Sequence, residues 1–532
     1  MVRLYPSSPL LEDLPFPPPR HLPIVHRTAA QHKDDGNRLF GAGRFDGARD
    51  AYSLALDTLS SQTDPLRVAL LANRAAVLLK LGLQCSALAD SILALTLEPS
   101  ASLRLKLLFR AATACYTLQR YKDCSAHLDE LLHLSPEDKD GLDLQRRLHL
   151  RLAERNYGQY DWPVLFKTAV RVEELDVADY VGGMFEVREI TGKGRGLVAT
   201  RAIEPGQLLM VQKPLAMGRG DLKGKEKSIV VGANLYTETM DPPSTGKLVA
   251  HLAERMMDDE SIRSRTLELY AGKDQSPITT AGIDISRLEA IATWNAFHTE
   301  SLAQKSKSLS PADDRAQLVQ APSSLYGLPS MLNHSCVGNV SYSFLADTFF
   351  LRARLPIAPG EELVDSYVDS LEGLARRADK LEKHRFVCTC ALCEMDRADG
   401  VAAGRERERL AEQLEQLTDR IHGHTAQNPA PLLPTMLPYI DKISATYSPS
   451  RPALRPALYP AYRLLAATLS TLGRFDEAIV TELKALASLG AVFEGTGESV
   501  KVVEVPKLGD VNAVLSSLFI ALQHQQLGRS PE

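Results

Sequence analysis

Asn333-His334-Ser335-Cys336, followed by Gly360-Glu361-Glu362-Leu363 and then Ser366-Tyr367, is the stretch on which the reading of this chain turns. Short β-branched and apolar runs surround it: Val340 to Phe344, Thr348 to Ala353 and Glu362 to Ser366. Similar runs lie upstream at Phe185 to Ile190, Gly196 to Thr200 and Gln207 to Val211, divided by glycine-containing turns. Such runs between turn residues read as strands. From 217 to 320 the pattern changes to a mostly polar, helical insertion with a Ser/Lys/Asp-rich loop at 301 to 315. A β-rich domain interrupted by a helical insertion therefore occupies 183 to 368.

Just beyond it stands Cys388-x-Cys390-x-x-Cys393. The chain has seven cysteines. Cys85, Cys115 and Cys124 sit singly in apolar helical patterns and read as small buried side chains. Cys336, Cys388, Cys390 and Cys393 cluster, and tight clustering in a chain without an export signal points to metal more than to disulfides. Four thiolates complete a closed tetrahedral site, with no open position for catalysis. The competing reading is four free buried thiols.

The N-terminal part repeats. Gly43-Arg44-Phe45-Asp46-Gly47-Ala48 recurs loosely as Gly82-Leu83-Gln84-Cys85-Ser86-Ala87 and as Gln119-Arg120-Tyr121-Lys122-Asp123-Cys124. Each lies between two amphipathic segments of helix length, and Pro99 and Pro136 follow the second helices. The spacings of 39 and 37 residues slightly exceed the roughly 34 of a tetratricopeptide repeat, and stacked helix pairs of this kind form a superhelix. Gly473-Arg474-Phe475-Asp476-Glu477-Ala478 repeats the turn near the C-terminus.

Composition narrows the classes. At 532 residues the chain should hold three or four domains. Its 44% apolar and 24% charged shares are ordinary for a globular protein. A net charge of −5 argues against broad nucleic-acid binding. There is no apolar run long enough for a membrane helix. Residues 1–30 are a proline-rich tail without a signal-peptide core, so an intracellular protein of cytoplasm or nucleus, monomeric and off the membrane, is expected.

Taken together and in this order, the motifs resemble the SET domain, most like the SET-and-MYND type of methyltransferase. The fold expected is multidomain α+β. It comprises a 31–150 all-α TPR superhelix, a 151–182 linker helix, a 183–368 SET domain, a 369–397 post-SET zinc segment and a 398–532 C-terminal helical, repeat-like region. The resemblance implies that S-adenosylmethionine lies against Lys193, Gly194, Arg195 and Gly196, in a glycine-rich turn that admits a ligand close to the main chain. It implies Asn333 and His334 on the cofactor's other side, Asn295 nearby, and Phe386 stacked on its adenine. Phe297, Tyr326 and His384 would line a lysine channel, with Tyr367 as the catalytic residue where methyl donor and acceptor amine meet. Cys336, Cys388, Cys390 and Cys393 would hold one structural zinc. Two departures stand out: the insertion has no cysteine, so the MYND finger is absent, and His384 stands where relatives often carry tyrosine.

A second constellation lies in the repeats. Lys33, Asn37, Asn73, Lys106 and Arg110 recur in register on successive first helices. They resemble the carboxylate clamp that holds the acidic C-terminal Glu-Glu-Val-Asp of cytosolic chaperones; the plain alternative is a solvated helix face. The function expected is a protein-lysine N-methyltransferase with a partner-recruiting module. The rivals are a chaperone-binding adaptor with an idle SET domain and a methyltransferase acting on a non-protein amine.

Overall fold

The computed structural model describes residues 27–219, 232–234, 239–272, 282–299, 321–382, 384–422, 430, 433–451, 454–494 and 501–508. It divides into two compact units. One is made of residues 1–182, 210–330 and 343–350, the other of 183–209, 331–342 and 351–532. The N-terminal tail to residue 26 and the 301–315 loop lie outside the described residues.

The first unit opens with three helical hairpins: α1 (Ala29–Gly41) with α2 (Phe45–Thr58), α3 (Leu66–Lys80) with α4 (Gln84–Thr96), and α5 (Ala101–Thr117) with α6 (Tyr121–Leu134). Small and medium apolar side chains fill the spaces between helices, among them Ala48, Tyr52, Ala55, Leu70 and Val77. Each hairpin turns on a left-handed residue: Gly43 at φ 70°, Gly82 at φ 77° and Gln119 at φ 56°. Glycine adopts this backbone without cost, whereas glutamine is strained there. Gln119 is held by its own side chain, which donates to Asp179 Oδ1 at 3.0 Å and accepts from the Asp179 N–H at 2.8 Å. The tetratricopeptide-like spacing of the sequence thus corresponds to three real helix pairs. Helix α7 (Lys139–Tyr157) continues the stack and α8 (Trp162–Ala169) follows, both started by aspartate caps, Asp138 and Asp161.

The described residues of the insertion are mostly helical, as its sequence suggests. Helices Pro243–Asp258, Glu260–Leu267 and Ile285–Asn295 are present. So are short strands, including Ala216–Gly218, Phe297–His298 and Ser323–Leu325, which form one small sheet. Strands of two or three residues carry too little two-residue alternation to be read. Gly218 lies against the helix Pro243–Asp258 so tightly that a Cβ would fall 1.9 Å from the Ser244 carbonyl oxygen. Asp258, at the far end of that helix, accepts from the Cys85 and Ser86 N–H groups at 2.9 Å each. It supplies the N-terminal cap that α4 lacks locally. Cys115 and Cys124 are fully buried as expected, whereas Cys85 is only half-buried.

The second unit contains a four-stranded sheet in the order Asn333–His334, Glu362–Asp365, Gly194–Ala199, Phe185–Ile190. Asn333 pairs in parallel with Val364 and His334 with Asp365. Glu362 pairs antiparallel with Val198. This register brings the Asn-His-Ser-Cys motif, the Gly-Glu-Glu turn and the glycine-rich turn together. The cysteine segment follows, with helices Leu374–Glu382 and Ala391–Asp399, and then Val401–His422, Leu433–Ala445, Leu458–Thr471 and Phe475–Ser488. The last two form a hairpin on Gly473 at φ 72°, the repeat-like turn seen in sequence.

Beyond the expected C-terminal helices the described residues also hold one short hairpin. Val492–Glu494 pairs antiparallel with Lys501–Glu504, where consecutive valines favour extended backbone. A buried ion network ties the C-terminal helices to the cysteine segment. Asp396 pairs with Arg377 at 2.6 Å and Arg451 at 2.8 Å, and Asp399 pairs with Arg407 at 2.8 Å and with Arg451. No helix among the described residues is long and apolar enough to cross a membrane.

Candidate active site and metal centre

The glycine-rich turn joins strands Phe185–Ile190 and Gly194–Ala199, closed by the Lys193 N–H donating to the Ile190 carbonyl at 2.9 Å. Gly194 sits at φ 75° with open space beside it, the exposure that a ligand-approaching turn needs. Gly196 is different. A Cβ there would lie 2.8 Å from Asn333 Nδ2, 2.8 Å from Ile190 Cγ1 and 2.9 Å from Glu362 Oε1. Its smallness is required by neighbouring side chains. Asn333 donates to the Arg195 carbonyl at 3.2 Å and to Glu362 Oε1 at 2.8 Å, and Lys193 Nζ meets Glu362 Oε2 at 2.7 Å. Glu362 is therefore the hub that fixes Lys193 and Asn333 together.

Tyr367 is 43% exposed, and its hydroxyl donates to the Leu332 carbonyl. Its backbone N–H donates to His334 Nδ1 at 3.0 Å. Burial of the phenol, with Asp365 and Glu362 adding negative charge, holds Tyr367 above its ordinary range, so it is protonated at neutral pH. Four rings pack as tilted pairs: His334–Tyr367 at 5.2 Å, Tyr367–His384 at 5.2 Å, His384–Phe386 at 6.3 Å and His334–Phe386 at 5.8 Å between centroids. Arg385, left-handed at φ 57°, turns the chain between His384 and Phe386. Phe386 keeps 38% of its surface exposed.

The four cysteines converge. Their sulfurs all lie within 4.8 Å of one another, with Cys336 at 3.9 Å from Cys388 and 3.6 Å from Cys393. A metal bound at about 2.3 Å to four thiolates places its sulfurs about 3.8 Å apart, so the donor set fits a tetrahedral zinc. The surroundings fit too. Arg377, only 1% exposed, donates to Cys393 Sγ at 3.7 Å and pairs with Asp396. His334 Nε2 lies 3.3 Å from Cys336 Sγ. Donors aimed at ligand sulfurs stabilise thiolate charge.

Asn295, Phe297 and Tyr326 belong to the first unit. The Asn295 amide donates to the Tyr270 and Ile291 carbonyls at 2.7 and 2.8 Å. Phe297 packs edge-on with Tyr326, Phe344 and Phe349 at 5.6 to 6.3 Å. Tyr326 corrects the expectation of a channel wall. It has no exposed surface and its hydroxyl is spent on the Asp347 carbonyl at 2.7 Å. It is a core residue behind Phe297.

In the repeats, α1, α3 and α5 are neighbours. Asn37 accepts from Tyr52 at 2.8 Å and from Asn73 at 3.1 Å. Arg110 donates to the Ala72 carbonyl at 2.8 Å, and burial lowers its pKa. Lys33 and Lys106 carry no ion pair among the described residues. Asn37, Asn73 and Arg110 thus bond across the first helices, and Lys33 and Lys106 stand one helical turn before Asn37 and Arg110.

Residues 194–368 match the SET domain family, so the chain carries a SET domain. A protein described as a methyltransferase from Gibberella zeae is 27% identical over 326 residues, covering 59% of this chain and 45% of that protein. Histone-lysine N-methyltransferase SMYD3 of Mus musculus is 27% identical over 262 residues, covering 39% of this chain and 60% of the relative. The chain thus spans about half the length of the first of these relatives. Among solved structures, the first TPR of Spaghetti (RPAP3) bound to an HSP90 peptide matches 24% of this chain and 93% of that one at 27% identity, with a TM-score of 0.21.

Proposed function

We propose that this SET-domain chain is an S-adenosylmethionine-dependent protein-lysine N-methyltransferase, with zinc at its four cysteines and helical repeats that recruit a partner. The observation that carries the reading is the placement of Tyr367. Its hydroxyl is anchored on the Leu332 carbonyl, beside Asn333 and inside the ring cluster with His384 and Phe386. The cofactor, when bound, supplies an electrophilic methyl on a sulfonium. Asn333, Lys193 and the open side of Gly194 would hold and admit it, and the exposed face of Phe386 would offer it a stacking surface.

The residues of the chain do the remaining work by position. A lysine amine must be neutral and in line to attack, although its free pKa is about 10.4. Beside the positive sulfonium the ammonium would be disfavoured and that value lowered. Because the Tyr367 proton is committed to Leu332, its oxygen lone pairs are free to accept from the amine N–H and orient the nitrogen. Holding the reactants in this geometry supplies much of the acceleration. Cys336, Cys388, Cys390 and Cys393 would hold zinc away from the chemistry and pin the segment after Tyr367.

The repeats extend the reading to recruitment. Lys33, Lys106 and Arg110 would pair with the carboxylates of a chaperone-type acidic C-terminus, and Asn37 and Asn73 would bond its main chain. The test of the whole is calorimetry with S-adenosylmethionine on three proteins. Asn333→Ala should lose most of the affinity, and Tyr367→Phe should keep it while losing transfer. Normal binding by Asn333→Ala would overturn the cofactor placement.

A further inference from the structure

We infer that the His334 side chain is a positioning residue, linking the thiolate cluster to the backbone of Tyr367, and is not a cofactor contact. The inference deepens the methyltransferase reading and rests on it for the role of Tyr367. His334 is 6% exposed, and both of its ring nitrogens are spent. The Tyr367 backbone N–H can only donate, and it reaches His334 Nδ1 at 3.0 Å. Nδ1 must therefore be the bare, accepting nitrogen. The ring hydrogen is then on Nε2, which lies 3.3 Å from Cys336 Sγ, a sulfur that accepts well once it is a thiolate. A single tautomer satisfies both contacts.

The geometry explains why the link matters for catalysis. Tyr367 is held at two points, by its backbone N–H on His334 and by its hydroxyl on the Leu332 carbonyl. These anchors flank Asn333 on one short stretch of chain. His334 also packs against Tyr367 and Phe386 at 5.2 and 5.8 Å. The ring fixes where the phenol sits, and the cofactor meets other atoms.

Two substitutions separate the two bonds. Asn places a side-chain oxygen near the Nδ1 position and nothing at Nε2, whereas Gln places an amide N–H near Nε2 and no acceptor at Nδ1. In the full-length zinc-loaded protein, three quantities are measured: turnover with labelled methyl donor, S-adenosylhomocysteine affinity by calorimetry, and zinc release to a colorimetric chelator. Amide exchange at Tyr367 is followed as a readout that needs no activity. His334→Gln should retain zinc and cofactor affinity, but lose Tyr367 amide protection and about tenfold or more in kcat. His334→Asn should keep amide protection and lose less kcat than His334→Gln, yet release zinc about tenfold faster.

If both variants lose cofactor affinity together, His334 is a cofactor contact and the inference fails. It fails equally if both keep zinc, amide protection and kcat. If the parent transfers no methyl at all, the methyltransferase reading falls. The amide and zinc readouts then still decide whether the linkage exists.

Discussion

Gly196→Ala tests the site at its tightest point. Gly196 is not left-handed, so alanine can take its backbone; the difficulty is space alone. The new methyl would lie 2.8 Å from Asn333 Nδ2 and Ile190 Cγ1 and 2.9 Å from Glu362 Oε1. All three neighbours must move, and overpacking of this kind costs about 1–3 kcal/mol. The mobile partner is Asn333, whose amide bonds Arg195 and Glu362. Losing a neutral and a charge-assisted bond from it costs about 2 kcal/mol, or roughly thirtyfold in cofactor Kd. Gly194→Ala separates backbone strain from crowding of Asn333 in the melts, since it has open space but φ 75°. It should lose about 1–2 kcal/mol of stability to backbone strain and leave the Asn333 bonds intact. Thermal melts and S-adenosylhomocysteine calorimetry on both variants make the comparison. A Gly196→Ala protein that melts and binds like the parent would refute the reasoning.

Three further outcomes are expected. Protein purified without chelator should carry one zinc per chain, and Cys390→Ser should release it; metal analysis finding none in the parent would remove the zinc. A Glu-Glu-Val-Asp peptide should bind the repeats at micromolar affinity, about 8 kcal/mol. That binding should weaken with Lys106→Ala and with added salt, whereas unaltered binding of the C-terminally amidated peptide would mean the face reads something else. Burial pushes the Asp365 carboxyl up to about 7, above its unfolded value of about 3.9. The folded state therefore loses stability as pH rises from about 4 to about 7 and the group ionises. Asp365→Asn should match the parent near pH 4 and exceed it above pH 7, by up to about 4 kcal/mol. A melting difference that does not change with pH would show that burial does not act on Asp365.

Much of the fold was legible because its signals are local. The strands Phe185–Ile190 and Thr348–Ala353 lie where β-branched runs place them, and the repeat turns fall on Gly43, Gly82 and Gln119. The cysteine site was legible because Cys388, Cys390 and Cys393 are close in sequence and only Cys336 comes from afar. What escaped depends on partners distant in the chain. Arg377 sits in Leu-Ala-Arg-Arg-Ala-Asp-Lys-Leu-Glu, which reads as a solvated charged helix. Its burial follows from Asp396 and Cys393, which no periodicity in that helix announces. Glu362 was visible as a motif letter, but its bonds to Lys193 and Asn333 arise from the pairing of distant strands. Tyr326 matched a channel position by spacing, yet its enclosure depends on Phe344, Phe349 and the Asp347 carbonyl.

The central claim is methyl transfer to protein lysine, and one assay meets it directly. Purified protein and labelled S-adenosylmethionine are incubated with cell extract, and the labelled proteins are hydrolysed to amino acids. The account predicts label in methyl-lysine with the parent and little or none with Tyr367→Phe. Cofactor binding by the parent with no label in any lysine would contradict it, and would leave the repeats as the working part of an adaptor.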